Sequence, residues 1–367
     1  MKIAILGSRG IPACYSGYDT LVEELAFGLV KTNATEVLVY CRDSYYKDRI
    51  SSLRGVKLIY LPAPRLKGVE SLIHSFISSL HVIWQKADII YFVDPANAPF
   101  CLFLRLLGKR VVIHTNGLGW KRSKWGPFAR RYYKFVEWLS ARTAHALVTD
   151  NPAMQDYYRN EYNADSVYIP YGAESSYGVD DSIYKQFYLQ RQKYMLLVAR
   201  IEPENNVDFI IEEYCGSSVK LPLIVVGDSP YNPQYMDYLH RLANDRVIFA
   251  GRLDNQPKLN ALYKGAYLYI HGHSVGGTNP SLLRAMYAGT APLVFDVPFN
   301  RSVISDFGFL FERKKGDLSN TLNLLTKSPE EVSRIAKGAH HRARTYFTWE
   351  NVINEHVVLF RRVMENT

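Results

Sequence analysis

Short runs of β-branched and apolar residues alternate along the chain with longer stretches in which apolar positions recur every three or four residues. That alternation predicts βαβ units feeding a parallel sheet. In the first half, the runs at 3–6, 36–40, 56–60, 88–92, 110–114, 146–149 and 166–169 predict strands. Between the first two, Leu21, Val22, Leu25 and Leu29 share one face of a helix predicted over 19–31, with Asp19 as its N-cap. Regularity lapses between 172 and 193, a polar, tyrosine-rich stretch that marks a domain boundary. The pattern restarts with strands predicted at 195–199, 223–227, 246–250, 267–271 and 292–295, and a closing helix over 349–364 sets Val352, Ile353, Val357 and Phe360 at helical spacing. The expected class is α/β: a doubly wound, Rossmann-like domain over 1–180, a second over 181–346, and a terminal helix over 347–367 packing back toward the first.

Composition changes this picture little. With 367 residues, 47% hydrophobic and 22% charged, the chain suits two soluble α/β domains and excludes disordered or collagen-like structure. Cys14, Cys41, Cys101 and Cys215 have no spacing that suggests zinc or a redox pair, and the N-terminus lacks the pattern of a signal peptide, so a cytoplasmic protein with reduced thiols is expected. The stretch 71–85 is the nearest approach to a membrane span, but it is short and holds His74 and His81, which leaves peripheral contact with a membrane as the expectation.

Charge changes it more. Of the net charge of +9, much lies between 101 and 144, where ten Lys or Arg face one acidic residue, Glu137. Trp120, Trp125, Phe128, Tyr132, Tyr133, Phe135 and Trp138 interleave with them. Such a face suits anionic lipid headgroups or a phosphorylated substrate, or is simply a solvated helix surface. No nucleic-acid recognition motif accompanies it, so no nucleic-acid partner is expected.

Three loops hold the candidate chemistry. GSRGIPACYSGYDT over 7–20 joins the first strand to the first helix, where Gly7, Gly10 and Gly17 allow tight turns and close approach to a ligand. It does not match the dinucleotide fingerprint. HGHSVGGTNPSLLRAMYAG over 271–289 is stronger: Gly276 and Gly277 permit approach, Thr278 and Asn279 supply polar contacts and a cap, and Pro280 suits the first position of a helix over 281–288. That helix start is an anion site by its N–H groups and dipole. VARIEPENN over 198–206 adds Arg200, whose planar fork matches phosphate oxygens; the alternative is an ion pair with Glu202 or Glu204. No aspartate-x-aspartate metal site is present, and Asp180-Asp181 in the irregular linker is a poor substitute.

With GSRGIP and the SGYDTLVEELA that follows, NGLGWKRSKW, IPYGAE, VARIEPENN, GGTNPSLLRAM and DVPFNR in that order, the chain resembles the glycosyltransferase family 4 enzymes, and more closely their rhamnosyltransferase-like branch in bacterial polysaccharide synthesis. The resemblance implies the GT-B fold, two Rossmann-like domains facing across a cleft. It also implies retaining, metal-independent transfer, with no cofactor beyond a nucleotide-sugar donor that is dTDP- or UDP-linked.

By the same resemblance the donor would meet Gly10, Gly17, Arg200, Glu204, Gly276, Gly277, Thr278, Asn279 and Arg284. Arg200, His114 and Asn116 would be catalytic. An acceptor, a lipid-linked saccharide at the cytoplasmic face of an anionic membrane, would meet Tyr15, Asp19, Trp120, Lys121, Arg122 and Lys124. The leading donor is dTDP-L-rhamnose. Another UDP- or GDP-sugar and a catalytically silent, nucleotide-binding paralogue are the rivals, with an epimerase behind them.

Departures from the family pattern stand out, among them Asn116 and Gly119 where the branch shows an acidic pair. Arg284 occupies the place of a glutamate that holds ribose hydroxyls and, having only donors, cannot accept their hydrogen bonds; it would contact phosphate or pair with a local carboxylate. Asn205 and Asn206 stand near the place of a lysine that accompanies the phosphate arginine. His271 and His273 flank the phosphate loop as weaker candidates.

Overall fold

The computed structural model describes residues 1–14, 17–32, 35–64, 69–122, 126–174, 177–229 and 232–365. It divides into two compact units, Met1–Gly172 with Trp349–Thr367, and Ala173–Thr348. The division therefore falls between Gly172 and Ala173 rather than after residue 180, and the closing helix Trp349–Glu365 belongs to the first unit. Glycines explain how that helix seats. A Cβ on Gly28 would lie 2.0 Å from Ile353 Cδ1, and one on Gly172 would lie 2.3 Å from the Trp349 ring, so both positions have room only for hydrogen.

In the first unit the strands are β1 (Lys2–Leu6), β2 (Glu36–Arg42), β3 (Ser52–Leu53), β4 (Val56–Leu61), β5 (Ile89–Val93), β6 (Val111–Thr115), β7 (Ala146–Thr149) and β8 (Val167–Tyr168). They form one sheet in the order β3-β4-β2-β1-β5-β6-β7-β8. All neighbours are parallel except β3 and β4. Central strands read as unbroken apolar runs because helices cover both faces: Ile3, Ala4, Ile5 and Leu6 have no exposed surface. The pattern missed β3, a two-residue strand turned into β4 by Arg54-Gly55, both at positive φ (49° and 84°), as a tight hairpin requires.

The second unit holds β9 (Met195–Val198), β10 (Leu223–Val226), β11 (Val247–Gly251), β12 (Leu268–His271), β13 (Ala291–Phe295) and β14 (Phe309–Phe311). Its all-parallel sheet runs β11-β10-β9-β12-β13-β14. Strand β14, three residues at the edge, also escaped the sequence pattern.

In both sheets the chain winds outward in both directions from a central pair, β1 and β5 in one, β9 and β12 in the other. The crevice outside the carboxyl ends of such a pair is where doubly wound sheets accept ligands.

Among the described residues no helix is long and apolar enough to cross a membrane. All four cysteines are free thiols. Of the linker carboxylates, Asp181 is paired with Arg191 at 2.6 Å and Asp180 Oδ1 accepts the Ser182 N–H at 2.9 Å.

Candidate functional site

In the second unit the loops after β9 and β12 lie side by side, because Leu268 and Tyr269 pair with Met195 and Leu196. Three hydrogen bonds stitch them together. Asn206 Nδ2 donates to Gly272 O at 2.7 Å, and Ser274 donates to Glu204 O from both its N–H (3.0 Å) and its Oγ (2.7 Å). Asn205 Nδ2 donates to Arg200 O at 2.7 Å and fixes the backbone that bears the arginine, whose side chain is exposed. The two asparagines standing near the lysine position thus hold the crevice in shape.

Beyond this seam the helix Pro280–Tyr287 begins with Pro280 and is capped by Asn279, whose Oδ1 accepts from Ser281 N at 3.1 Å and Ser281 Oγ at 2.8 Å. The Tyr269 hydroxyl stands 2.9 Å from Ser281 Oγ, anchoring this first turn to β12. Thr278 is buried, and Gly276 (φ +149°) would meet nothing within 4 Å if given a Cβ. Arg200, Glu204, Gly276, Gly277, Thr278 and Asn279 are therefore brought to one crevice, where helix N–H groups and a guanidinium are suited to an anion.

His271 lines the same edge, stacked on His273 at 4.2 Å between ring centroids. Burial pushes its pKa down to about 3, so the ring is neutral and acts as a hydrogen-bonding group, not a cation.

Arg284 corrects an expectation. Its guanidinium meets no carboxylate among the described residues; it donates to Gln256 Oε1 at 2.9 Å and Asn260 Oδ1 at 2.5 Å and lies 5.3 Å from the Tyr263 ring centroid. Neutral amides and a ring face engage its terminal nitrogens because the adjoining helix Gln256–Gly265 presents those groups, while its Nε has no hydrogen-bond partner among the described residues.

The first unit consumes its own candidates. Gly10 is buried, its N–H donates to Ser8 Oγ at 3.0 Å, and a Cβ there would lie 2.5 Å from Cys41 Sγ; this glycine serves close packing, and its amide is not offered to a ligand. Asp19 is not the N-cap. It lies within the helix Gly17–Lys31, is 1% exposed, and accepts from Arg9 N at 3.1 Å and Arg9 Nη1 at 3.3 Å, so its carboxylate ties the loop down instead of facing an acceptor. Gly17 opens that helix. Tyr15 and Lys124 lie outside the described residues.

His114 is wholly buried in β6, so the expected direct contact with a ligand is not available in this conformation. A hydrogen-bond chain fixes its tautomer. His356 Nδ1 donates to Val352 O (2.7 Å), leaving Nε2 to accept from the Tyr91 hydroxyl (2.9 Å), which in turn accepts from His114 Nδ1 (2.7 Å). His114 Nε2 thus keeps its lone pair and has no hydrogen-bond partner. Burial, then the neighbouring His356, holds the His114 pKa well below the ordinary value. Neither Tyr91 nor His356 figured in the sequence reading; the only signal was a histidine within the apolar stripe of the last helix.

Asn116 Nδ2 donates to the Tyr171 hydroxyl at 3.0 Å. Trp120 Nε1 donates to the Tyr157 hydroxyl at 3.2 Å, and Tyr157 and Tyr162 both donate to Glu137 Oε2, at 2.9 and 3.0 Å. Lys121 and Lys134 bring their ammonium groups 5.3 and 4.5 Å from the Trp120 ring centroid, and Arg122, next to Lys121 in sequence, is half-buried.

Residues 181–342 match the family model described as Glycosyl transferases group 1. The second unit is thus similar to a group 1 glycosyltransferase domain over most of its length. Residues 1–174 match the model described as Domain of unknown function (DUF1972). The UDP-N-acetylglucosamine–peptide N-acetylglucosaminyltransferase GtfA subunit of Streptococcus parasanguinis is 22% identical over 79% of this chain; the match spans 58% of that protein's length.

Among solved structures, the sucrose-phosphate synthase of Thermosynechococcus elongatus superposes with a TM-score of 0.83 at 17% identity, covering 100% of both chains. Anabaena HepE in complex with UDP gives 0.78 at 15% identity, and its complex with UDP-glucose 0.76 at 15%, each covering 99% of this chain and 100% of HepE. These likenesses establish the fold as two Rossmann-like domains of the GT-B type.

Proposed function

We propose that the chain is a retaining glycosyltransferase that holds a nucleotide-diphosphate sugar on its group 1 domain, without a metal, and moves the sugar to an acceptor held by the first unit. The observation that carries this reading is the crevice between β9 and β12, where the loop bearing Arg200 is tied to the loop that leads through an unobstructed Gly276 into the Asn279-capped helix start. A departing diphosphate gathers negative charge, and helix N–H groups with a guanidinium on a fixed backbone stabilise that charge. HepE, solved with UDP and UDP-glucose, and GtfA, named for UDP-N-acetylglucosamine, favour a UDP-linked donor. Resemblance of the loop sequences favours dTDP-L-rhamnose.

Transfer assayed in EDTA against dTDP-rhamnose and a panel of UDP- and GDP-sugars tests the reading and chooses among donors. Donor affinity measured by calorimetry should fall at least tenfold in Arg200→Ala, a loss of about 1.4 kcal/mol. Nucleotide binding without turnover of any donor would instead support a silent, nucleotide-binding protein, and unchanged affinity in Arg200→Ala would remove the phosphate site.

The acceptor reading is a lipid-linked saccharide at the cytoplasmic face of an anionic membrane. Its support is the helix Pro127–Thr143, where Phe128 (91% exposed), Phe135 and Trp138 stand out among exposed Arg130, Arg131 and Lys134. Apolar and basic side chains so mixed suit an anionic bilayer surface. Cosedimentation with phosphatidylglycerol vesicles should be lost on changing those three cations to Glu; retained binding would sink this part.

A further inference from the structure

At the opposite edge of the second sheet lies a cavity of about 690 Å³. Its lining includes Gln192, Ala266 and Tyr267, which precede β9 and β12, whereas the candidate phosphate loops follow those strands. A space of this size is ample for a small organic ligand. Aromatic surface dominates part of the wall, where Tyr263, Tyr267 and Tyr287 stand around it.

The charges on that wall all have one sign. Lys264, Arg284 and Lys337 line it together with His340, and no Asp or Glu is among the described residues that line it. Lys264 and Lys337 are exposed at the rim, while Arg284 is half-buried with its Nε out of contact with solvent. Arg284 spends its terminal nitrogens on the neutral oxygens of Gln256 and Asn260, and its buried Nε has no hydrogen-bond partner. A half-buried guanidinium with a buried, unpartnered Nε and no carboxylate partner among the described residues retains charge and an unused donor, both of which a bound anion would satisfy. The His340 ring is held in place by the bond from its Nδ1–H to Tyr287 O at 2.5 Å.

We propose that this cavity is a second binding site, for a small organic anion: a phosphate, sulfonate or carboxylate group carried on a flat apolar body. The anionic group meets Arg284 with Lys264 and Lys337, and the body lies against the tyrosines. The site is separate from the phosphate loops and stands whether or not those loops hold a sugar nucleotide.

Calorimetric titration of the full chain with 1-naphthyl phosphate, using 1-naphthol as its uncharged counterpart, tests this. Saturable binding at one site is expected, with naphthol at least tenfold weaker. Reversing both rim charges, Lys264→Glu with Lys337→Glu, should weaken the phosphate at least fivefold with the melting temperature unchanged. Arg284→Met, which keeps the apolar stem, should abolish binding; the rim variant decides the matter if that protein does not fold. Arg200→Ala should leave naphthyl phosphate affinity as it was. No saturable heat, equal affinity for naphthol, indifference to the rim reversal, or a loss in Arg200→Ala would each overturn the proposal.

Discussion

The two sheets diverge from equivalent central pairs, yet they treat the crevice so formed in opposite ways. At β1 and β5 the chain fills it with its own atoms. A Cβ on Gly7 would lie 2.4 Å from Val93 O, Asn97 Nδ2 donates to that same oxygen at 2.7 Å, Gly10 is pressed on Cys41, and Asp19 is spent on Arg9. At β9 and β12 the loops are tied to each other, by Asn206 and Ser274, and the space beyond the seam at Gly276 is left clear. Glycine in a strand-to-helix loop thus has two physical meanings, room for the protein's own neighbours or room for something else, and only the surroundings tell them apart.

Gly10→Ala is the strongest way to break this comparison. The new methyl group would collide with Cys41 at a φ of +112°, so steric overlap adds to backbone strain and the loss should be about 3–5 kcal/mol of folding stability. Gly276→Ala meets strain at φ +149° but no neighbour, and should cost about 1–2 kcal/mol. Urea denaturation of both variants measures the difference. Equal losses would mean that the two loops are not distinguished by packing.

How much of this contrast could be read from the sequence depended on the distance between partners. Strands such as β1, β2 and β5 were legible because a buried parallel strand is a continuous apolar run, whereas β3 and β14 are too short to make a pattern. The Asn279 cap and Pro280 were legible because capping is settled within one turn. Asp19 was misread because an acidic residue in a first turn looks like a cap, and its true partner, Arg9, comes from the preceding loop. Arg284 was opaque for the same reason on a larger scale: Gln256 and Asn260 reach it from another helix, and no local spacing announces them. The chain from Val352 through His356 and Tyr91 to His114 joins elements from opposite ends of the sequence, and only folding reveals which ring nitrogen carries the proton.

A pH-dependent effect also sharpens the comparison, because the first unit turns inward a carboxylate that Tyr157 links to Trp120. Glu137 has no exposed surface, and burial pushes its pKa from the ordinary 4.5 up to about 7. Hydrogen bonds from Tyr157 and Tyr162 and the charge of Lys134 pull it part of the way back, while Asp94 pushes it up further. Since the folded pKa lies above the unfolded one, the folded state holds the extra proton between pH 4.5 and 7. The stability it contributes is therefore fully present below about pH 4.5 and is lost as pH rises through 7. Glu137→Gln keeps an oxygen for the two tyrosines but does not titrate. The stability of the parent chain relative to this variant should fall by about 3 kcal/mol across that window and level off above it. Buried neutral histidines such as His114, His271 and His356 respond to acid in the opposite sense, but both proteins share them and they cancel in the difference. Urea melts of the pair at pH 5, 6, 7 and 8 supply the measurement. A difference that stays flat with pH would show that Glu137 is ionised throughout, and that the inward-turned polar groups of the first unit are reached by water after all.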